Sequence, residues 1–318
     1  MSYTYDAMGR PITVAQGTNT HTYIYDAATL VLDKETIDYN GFTRTLDRSQ
    51  DNLLRPSGMT VSVMNNGSPQ VETQSSYTYD AASRLATVAN ATDTFTYSYL
   101  PNSYGMVQHV SRTGGHTVTN AYESNRNVLL SKNNHTGTPA TPVSKYDYAV
   151  LENGTPTAFG ANSIGQRTDL ARTGSAFTAN ASTAWSYNAT GELTQADDSD
   201  NTRDHAFSFD GIGNRTSSTF NSVTTNYTAD TLNRYSVIGS LNPTYDDDGN
   251  MLTGPLSAAP TADATLAWDG ENRLKSVSMP AAATIYFSYD YLGRRISKTS
   301  SATTTRYIYD GWNIISEY

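Results

Sequence analysis

An all-β fold of tandem β-hairpins, running as a single array over residues 1–318, is what this sequence predicts, and three observations carry it. A short unit recurs: aromatic-x-aromatic-Asp, two or three turn residues, Gly or Asn, Arg, then Leu or Ile, as in Phe287-Ser-Tyr289-Asp290-Tyr-Leu-Gly293-Arg294-Arg295-Ile296. Its neighbours, headed by Asp269 and Asp310, stand roughly 20 residues away, a period that marks a repeat architecture in which each unit buries its apolar face only against the next. The composition favours strands, with 23 Tyr against 8 Phe and 3 Trp, and lacks long helix-forming runs.

The unit makes physical sense as a hairpin. Tyr3 and Tyr5 are two apart and share one face of a strand. Asp6 opens a turn, where its carboxylate accepts from the backbone N–H groups just ahead, and Gly9 supplies the left-handed residue that closes it. With a bulge at that point Arg10 lies opposite Asp6 as a cross-strand charge pair. In Tyr79-Asp80-Ala-Ala-Ser83-Arg84-Leu85 the same register sets Leu85 opposite Tyr79 on the buried face, while Val88 breaks the parity and requires either a strand end or a second bulge. Right-handed twist with a bulge in each hairpin predicts a curved sheet. So much tyrosine needs partners for its hydroxyls, which points to a sheet with one wetter face or a water-filled interior in place of a dry core.

Regular copies occupy 1–90 and 185–318. The first is Tyr3–Arg10; the second, headed by Asp26, lacks the Gly-Arg pair; Phe42–Arg48 reads as a degenerate copy; Tyr77–Leu85 returns to pattern. Over 91–184 the aromatics persist at Phe95–Tyr99, Tyr122 and Tyr146–Tyr148, but the intervening segments, such as Asn133–Pro139, read as long polar loops. After Trp185 the units headed by Asn188, Asp210, Asp230, Asp246, Asp269, Asp290 and Asp310 follow without a linker or helix. The residues expected to hold the repeat together are Tyr5, Asp6, Gly9, Arg10, Tyr79, Asp80, Arg84, Asp210, Gly213, Arg215, Asp269, Arg273, Asp290, Gly293, Arg294 and Asp310.

These residues resemble the Rhs/YD-repeat family, named for this Tyr-Asp unit: bacterial Rhs proteins, the B and C components of insecticidal toxin complexes, and teneurins. The resemblance spans essentially the whole chain and implies a partial spiral β-shell, which in bacterial members encloses a variable C-terminal toxin. Relatives of that kind carry an Asp-Pro-x-Gly-type motif in a C-terminal core-associated domain, with aspartates that cut the chain. No Asp-Pro dipeptide occurs here, so no protease residue is carried over. The closing Tyr307–Tyr318 resembles the last repeat before that domain, which implies an excerpt of a larger protein or a stand-alone partial shell.

Net charge is −9 and the basic residues are mostly scattered turn arginines, which argues against a nucleic-acid surface. With no cysteine, disulfide and thiol chemistry are excluded. No apolar run approaches a membrane span of about 20 residues. Met1-Ser-Tyr-Thr-Tyr-Asp enters the repeat at once, so no signal peptide is expected in this chain. Asp246-Asp-Asp-Gly249-Asn250 resembles the start of a calcium loop, but its twelfth position is Ser257 and not a bidentate Glu, so Asp246 is read as a turn Asp. Asp197-Asp-Ser-Asp200 reads as an acidic loop. His21, His109, His116, His135 and His205 read as surface or loop histidines; only His109 and His116 are spaced to meet across a turn, and two ligands do not make a metal site. A catalytic residue need occur once, whereas these acids recur in every unit, so no catalytic residue, metal or cofactor is assigned.

The function expected is a non-catalytic scaffold of a polymorphic toxin or large surface protein, secreted or at the cell surface as part of a larger bacterial protein. It would enclose or present an attached C-terminal toxin or effector domain, or join further shell repeats. Unpaired terminal edges would favour end-to-end association or a terminus folded back. The alternative is a carbohydrate- or cell-surface-binding module using Trp185, Trp268 and Trp312. A glycoside-acting enzyme is the third reading.

Overall fold

The computed structural model describes residues 1–124, 127–137, 140–152, 155–159, 164–256 and 262–318, with the backbone alone for 149–152 and 155–159. The described chain is all-β save for one 3-10 turn, Asn201–Arg203. It divides into two compact units. One comprises Met1–Gly114, Phe287–Thr299 and Thr303–Tyr318, the other Gly115–Tyr286 and Ser300–Ala302.

In the first unit the strands from Ser2–Tyr5 to Val107–Arg112 run as a meander, each antiparallel to the next. Residues 32–65 also carry a dry core. In the strand Leu32–Tyr39, Glu35, Ile37 and Tyr39 alternate inward as the period of two requires. Ile37, Tyr39, Leu46 and Val61 are closed over by Ile296 and Ile308, with Phe42, Ile315 and Tyr318 at the margin. Each fully buried aliphatic side chain contributes about 1.5–3 kcal/mol relative to exposure. The terminal hairpin Thr303–Asp310/Asn313–Glu317 thus folds back over the strands that precede it within this unit.

The second unit is also a meander, from His116–Tyr122 to Tyr235–Ile238 and then from Thr244–Tyr245 to Leu274–Ser278. Between Thr141–Asp147 and Asp169–Thr173 a small hairpin, Ala149–Glu152/Thr155–Phe159, interposes. Along its regular strands one face is half-buried and the other exposed: Trp185, Tyr187, Phe207, Phe209, Tyr227, Tyr235, Tyr245 and Trp268 are all half-buried.

The parity problem at Val88 resolves as a bulge. Tyr79 pairs with Leu85 and Tyr77 with Val88, and Ala86 is skipped. The same slip follows the turn in hairpin after hairpin, as between Thr4↔Thr13 and Tyr5↔Pro11, or Ala267↔Ser276 and Trp268↔Leu274. It brings residues three apart to one face and adds local twist.

Four expectations need correction. Leu129–Thr136 is a strand, so Asn133, Asn134 and His135 are not in a loop, while Pro139 lies outside the described residues. Ladders on both sides satisfy its backbone, and Asn134 Nδ2 donates to Ser144 Oγ at 2.9 Å, so tertiary pairing overrides polar composition. The histidines are all in strands. His21 is buried in the first unit, its Nδ1 3.0 Å from Glu35 Oε1, and its neighbours Tyr23 and Tyr39 wall it in. Asp197 and Asp198 close a strand, and Asp198 is buried against Arg172 and Thr183, while Asp200 caps the 3-10 turn. The degenerate copy is not centred on Asp47, which pairs with Lys34 at 2.6 Å. The turn is Asp51–Arg55.

Candidate functional site

The most elaborated chemistry of the molecule is the row of turns. In each turn that keeps the Asp and Arg, one carboxylate accepts three hydrogen bonds. Asp80 Oδ1 accepts from the N–H of Ala82 and of Arg84, both at 2.9 Å, and Oδ2 accepts from Arg84 Nε at 2.8 Å. The backbone closes by Ser83 N–H to Asp80 C=O and by Asp80 N–H to Arg84 C=O. Asp6–Arg10, Asp51–Arg55, Asp230–Arg234, Asp269–Arg273 and Asp290–Arg294 repeat this geometry. The backbone and guanidinium N–H groups of Arg10 hold Asp6 below its ordinary carboxylate range, against a smaller opposing effect of desolvation. Asp51, Asp80 and Asp230 are lowered for the same reasons. Asp246 makes the same turn with Asn250, which holds both its oxygens; Ser257 lies outside the described residues.

The fourth turn residue is left-handed: Gly9 at φ 79°, Gly213 at 91°, Gly293 at 79°. Ser83, Asn233 and Asn272 take that place elsewhere, Leu54 is forced into it at 59°, and in the Asp26 turn, one residue longer, Leu30 is left-handed at 63°.

The turns are also coupled to one another. The Arg10 guanidinium lies 4.1 Å over the Tyr25 ring of the next unit and donates to the carbonyl of Leu30 in the next turn at 2.8 Å. Arg55 does so with Tyr79 and Ser83 Oγ, and Arg84 with Tyr99 and the Ser103 carbonyl. The second aromatic completes the joint. The Tyr99 hydroxyl donates to the carbonyl of Leu85, the residue at the start of the preceding bulge, at 2.7 Å. Tyr25 reaches Pro11, Tyr79 Pro56, Tyr245 Tyr235 and Tyr309 Arg295 in the same way, and Trp268 substitutes its Nε1–H to Met251. This linkage needs tyrosine, not phenylalanine, which accounts for the tyrosine at the second aromatic position of these units. The sequence carries the signal only as a turn Arg followed by the next unit's Tyr at a variable distance, as in Arg10/Tyr25 and Arg55/Tyr79, and a charge pair within one hairpin already explains the Arg.

The other expected residues are placed as follows. Tyr5 is exposed and stacks on Tyr3 at 6.1 Å. Asn214, not Arg215, pairs with Asp210, at 2.9 Å; Arg215 lies 4.4 Å over the Tyr227 ring on the half-buried face. Asp310 does not serve its own turn: its Oδ1 accepts from Arg48 Nε and Nη2, and Arg48 also binds Glu35. Burial alone would raise Glu35, but the hydrogen bond from His21 and the nearby positive charges hold it below its usual range. Among the described residues, Asp290 and Arg294 form the one turn pair of this kind buried on both sides, at 1% and 3% side-chain exposure. Of the tryptophans, Trp185 is half-buried, Trp268 is committed to the Met251 carbonyl, and Trp312 is exposed at the tip of the last hairpin. Among the described residues no cluster of three His, Cys, Asp or Glu side chains could hold a metal ion, and no helix is long and apolar enough to cross a membrane.

Comparisons with known proteins agree with this geometry. Residues 163–314 match the teneurin YD-shell family model. Over 113 residues, 33% of this chain, it is 30% identical to the tRNA3(Ser)-specific nuclease WapA of Bacillus spizizenii and to the tRNA nuclease WapA of Bacillus subtilis; the match spans 4% of those proteins. Among solved structures, a TcdB2-TccC3 complex without its hypervariable C-terminal region covers 96% of this chain at TM-score 0.53 and 13% identity. The Photorhabdus luminescens Tc holotoxin pore covers 96% at TM-score 0.51 and 14% identity. Each of these alignments takes in 20% of the larger chain, and at such identity they establish the fold. With its coupled Tyr-Asp turns, the match of residues 163–314 to the teneurin YD-shell family model and the fold it shares as a whole with the TcdB2-TccC3 complex, this chain resembles the Rhs/YD-repeat family.

Proposed function

We propose that residues 1–318 act as one YD-repeat array, a non-catalytic wall segment that encloses or presents an attached C-terminal toxin or effector segment. The observation that carries this reading is the half-buried aromatic face of the second unit. A row of rings from Trp185 to Tyr235 lines one side of one sheet, Tyr245 and Trp268 continue it on the next sheet, and none of them is fully buried by the unit's own side chains. The turns that join the strands are spent on structure: their carboxylates and arginines are consumed by each other and by the next turn. Such a wall supplies aromatic and hydroxyl surface for a polypeptide without offering a reactive group. The working partners are the attached segment or further repeats of the same protein, and the working location is outside a bacterial cell as part of a larger protein.

Fusing a protease-sensitive reporter polypeptide after Tyr318 tests this. Protection of the reporter against a protease that digests it rapidly when free, with a hollow or concave envelope by small-angle scattering, is the expected result. Cleavage at the free reporter's rate, from a solid particle, would overturn it.

A further inference from the structure

One joint in the row of turns lacks its cation. At Asn188–Glu192 three residues depart together from the unit: Asn188 replaces Asp, Glu192 replaces Arg, and the next unit's second aromatic is Phe209 in place of Tyr. Within its own turn Asn188 still caps, accepting from the N–H of Thr190 and Glu192, and its Nδ2 donates to Glu192 Oε2 at 2.6 Å. Between turns the joint is incomplete. Elsewhere a guanidinium covers the second aromatic, at 4.1 Å in Tyr25 and 4.2 Å in Tyr99, and donates to the next turn. Other turns without Arg still find a donor for the turn that follows: Gln166 Nε2 reaches the Gly191 carbonyl at 2.8 Å, and Asn250 Nδ2 reaches Asn272 at 2.9 Å. Glu192 can only accept.

The result is a cavity of about 580 Å³ lined by Asn188, Thr190, Glu192, Phe209, Asp210 and Gly213 among others. Glu192 forms no ion pair, and no cation lies over Phe209, among the described residues. Glu192 Oε1 stands 3.1 Å from where a Cβ on Gly213 would be, so a carboxylate oxygen points along the turn that other joints fill with a donor.

We propose that this cavity binds the guanidinium of an arginine side chain on a partner polypeptide, seated where the chain's own arginines sit at other joints. Oε2 of Glu192 already accepts from Asn188 and from the Thr190 hydroxyl, so Oε1 receives the guanidinium N–H, the ring of Phe209 takes its face, and the rim of the Asp210–Gly213 turn takes its remaining donors. The chemistry stands on the turn itself and does not require that the wall enclose a cargo.

Titration of the whole chain with L-arginine amide, followed by the amide resonances of Glu192, Phe209 and Gly213, tests it. Saturable, weak binding is expected. Phe209→Leu and Glu192→Gln should each weaken it about fivefold, the ratio that about 1 kcal/mol represents. Glu192→Arg should abolish it while raising the melting temperature, because the chain then fills its own gap. Absence of saturation, equal binding of L-lysine amide, or undiminished binding by Glu192→Arg or Glu192→Gln would each overturn the proposal.

Discussion

The two units are built from the same hairpin and are stabilised differently. In the first, Ile37, Leu46, Val61, Ile296 and Ile308 make a closed apolar core, and even polar side chains such as His21, Glu35, Asp290 and Arg294 are drawn inside. In the second, buried apolar side chains are few, with Ile238, Leu266 and Val277 as examples, and the aromatic row stays half-buried. The repeat motif therefore does not determine whether a YD sheet becomes two-layered. That depends on whether later strands return to cover it, as the strands around Ile296 and Ile308 do in the first unit. Where nothing returns, the joints between successive turns carry a larger share of the stability.

The sharpest test of this contrast uses one motif in two environments. Arg294→Ala leaves the buried Asp290 carboxylate without its guanidinium and is expected to cost about 3–5 kcal/mol in urea unfolding. Arg84→Ala, at a quarter-exposed pair, should cost about 1 kcal/mol or less. Equal losses would mean that burial does not separate the turns. Next in size, Ile308→Ala should cost about 2–5 kcal/mol by opening a cavity in the closed core. Tyr227→Ala in the half-buried row should cost about 1–2 kcal/mol. Removing only the hydroxyl, Tyr99→Phe, breaks the joint to Leu85 and should cost about 1 kcal/mol with the ring still in place. Leu54→Gly should stabilise by about 0.5–1 kcal/mol, since it relieves a left-handed leucine whose side chain is exposed.

The smallest effect per group is with pH. Asp6, Asp51, Asp80 and Asp230 are lowered in the folded chain, so their contribution is present above the unfolded aspartate value of about 3.9. It is lost as pH falls through the lower folded values. Acid titration followed by circular dichroism should show stability declining below about pH 4, and less so in Asp80→Asn.

The local half of this architecture is legible in the residues. A carboxylate, a left-handed residue and an arginine at fixed spacing describe a turn whose bonds all lie within five residues, so the Asp6 and Asp80 turns can be read directly. The Asp51 turn escapes such a reading because its strand ends in Arg48-Ser-Gln50 and carries no aromatic pair, although the Asp-to-Arg spacing is intact. What depends on distant chain is not legible. Asp310 has the unit's heading but turns to Arg48, and Tyr23 finds the hydroxyl of Tyr291 at 2.6 Å. His21 gives no local sign of burial, because the strands that enclose it come from other repeats. The second bulge was visible only as a parity conflict at Val88, since register is a property of two strands and not of one.

The phenol-to-carbonyl joint has a consequence for how such chains change over time. Each link is made between one hairpin and its immediate predecessor, as Tyr99 is to Leu85 and Tyr309 to Arg295. A whole block can therefore be copied or deleted and the ends on either side still find a hydroxyl for every offered carbonyl. A deletion of an odd number of residues within a strand turns that strand's remaining rings to the opposite face and takes the hydroxyl away from its acceptor. Gene-level gain and loss in chains built on this joint should accordingly be quantised in complete hairpins.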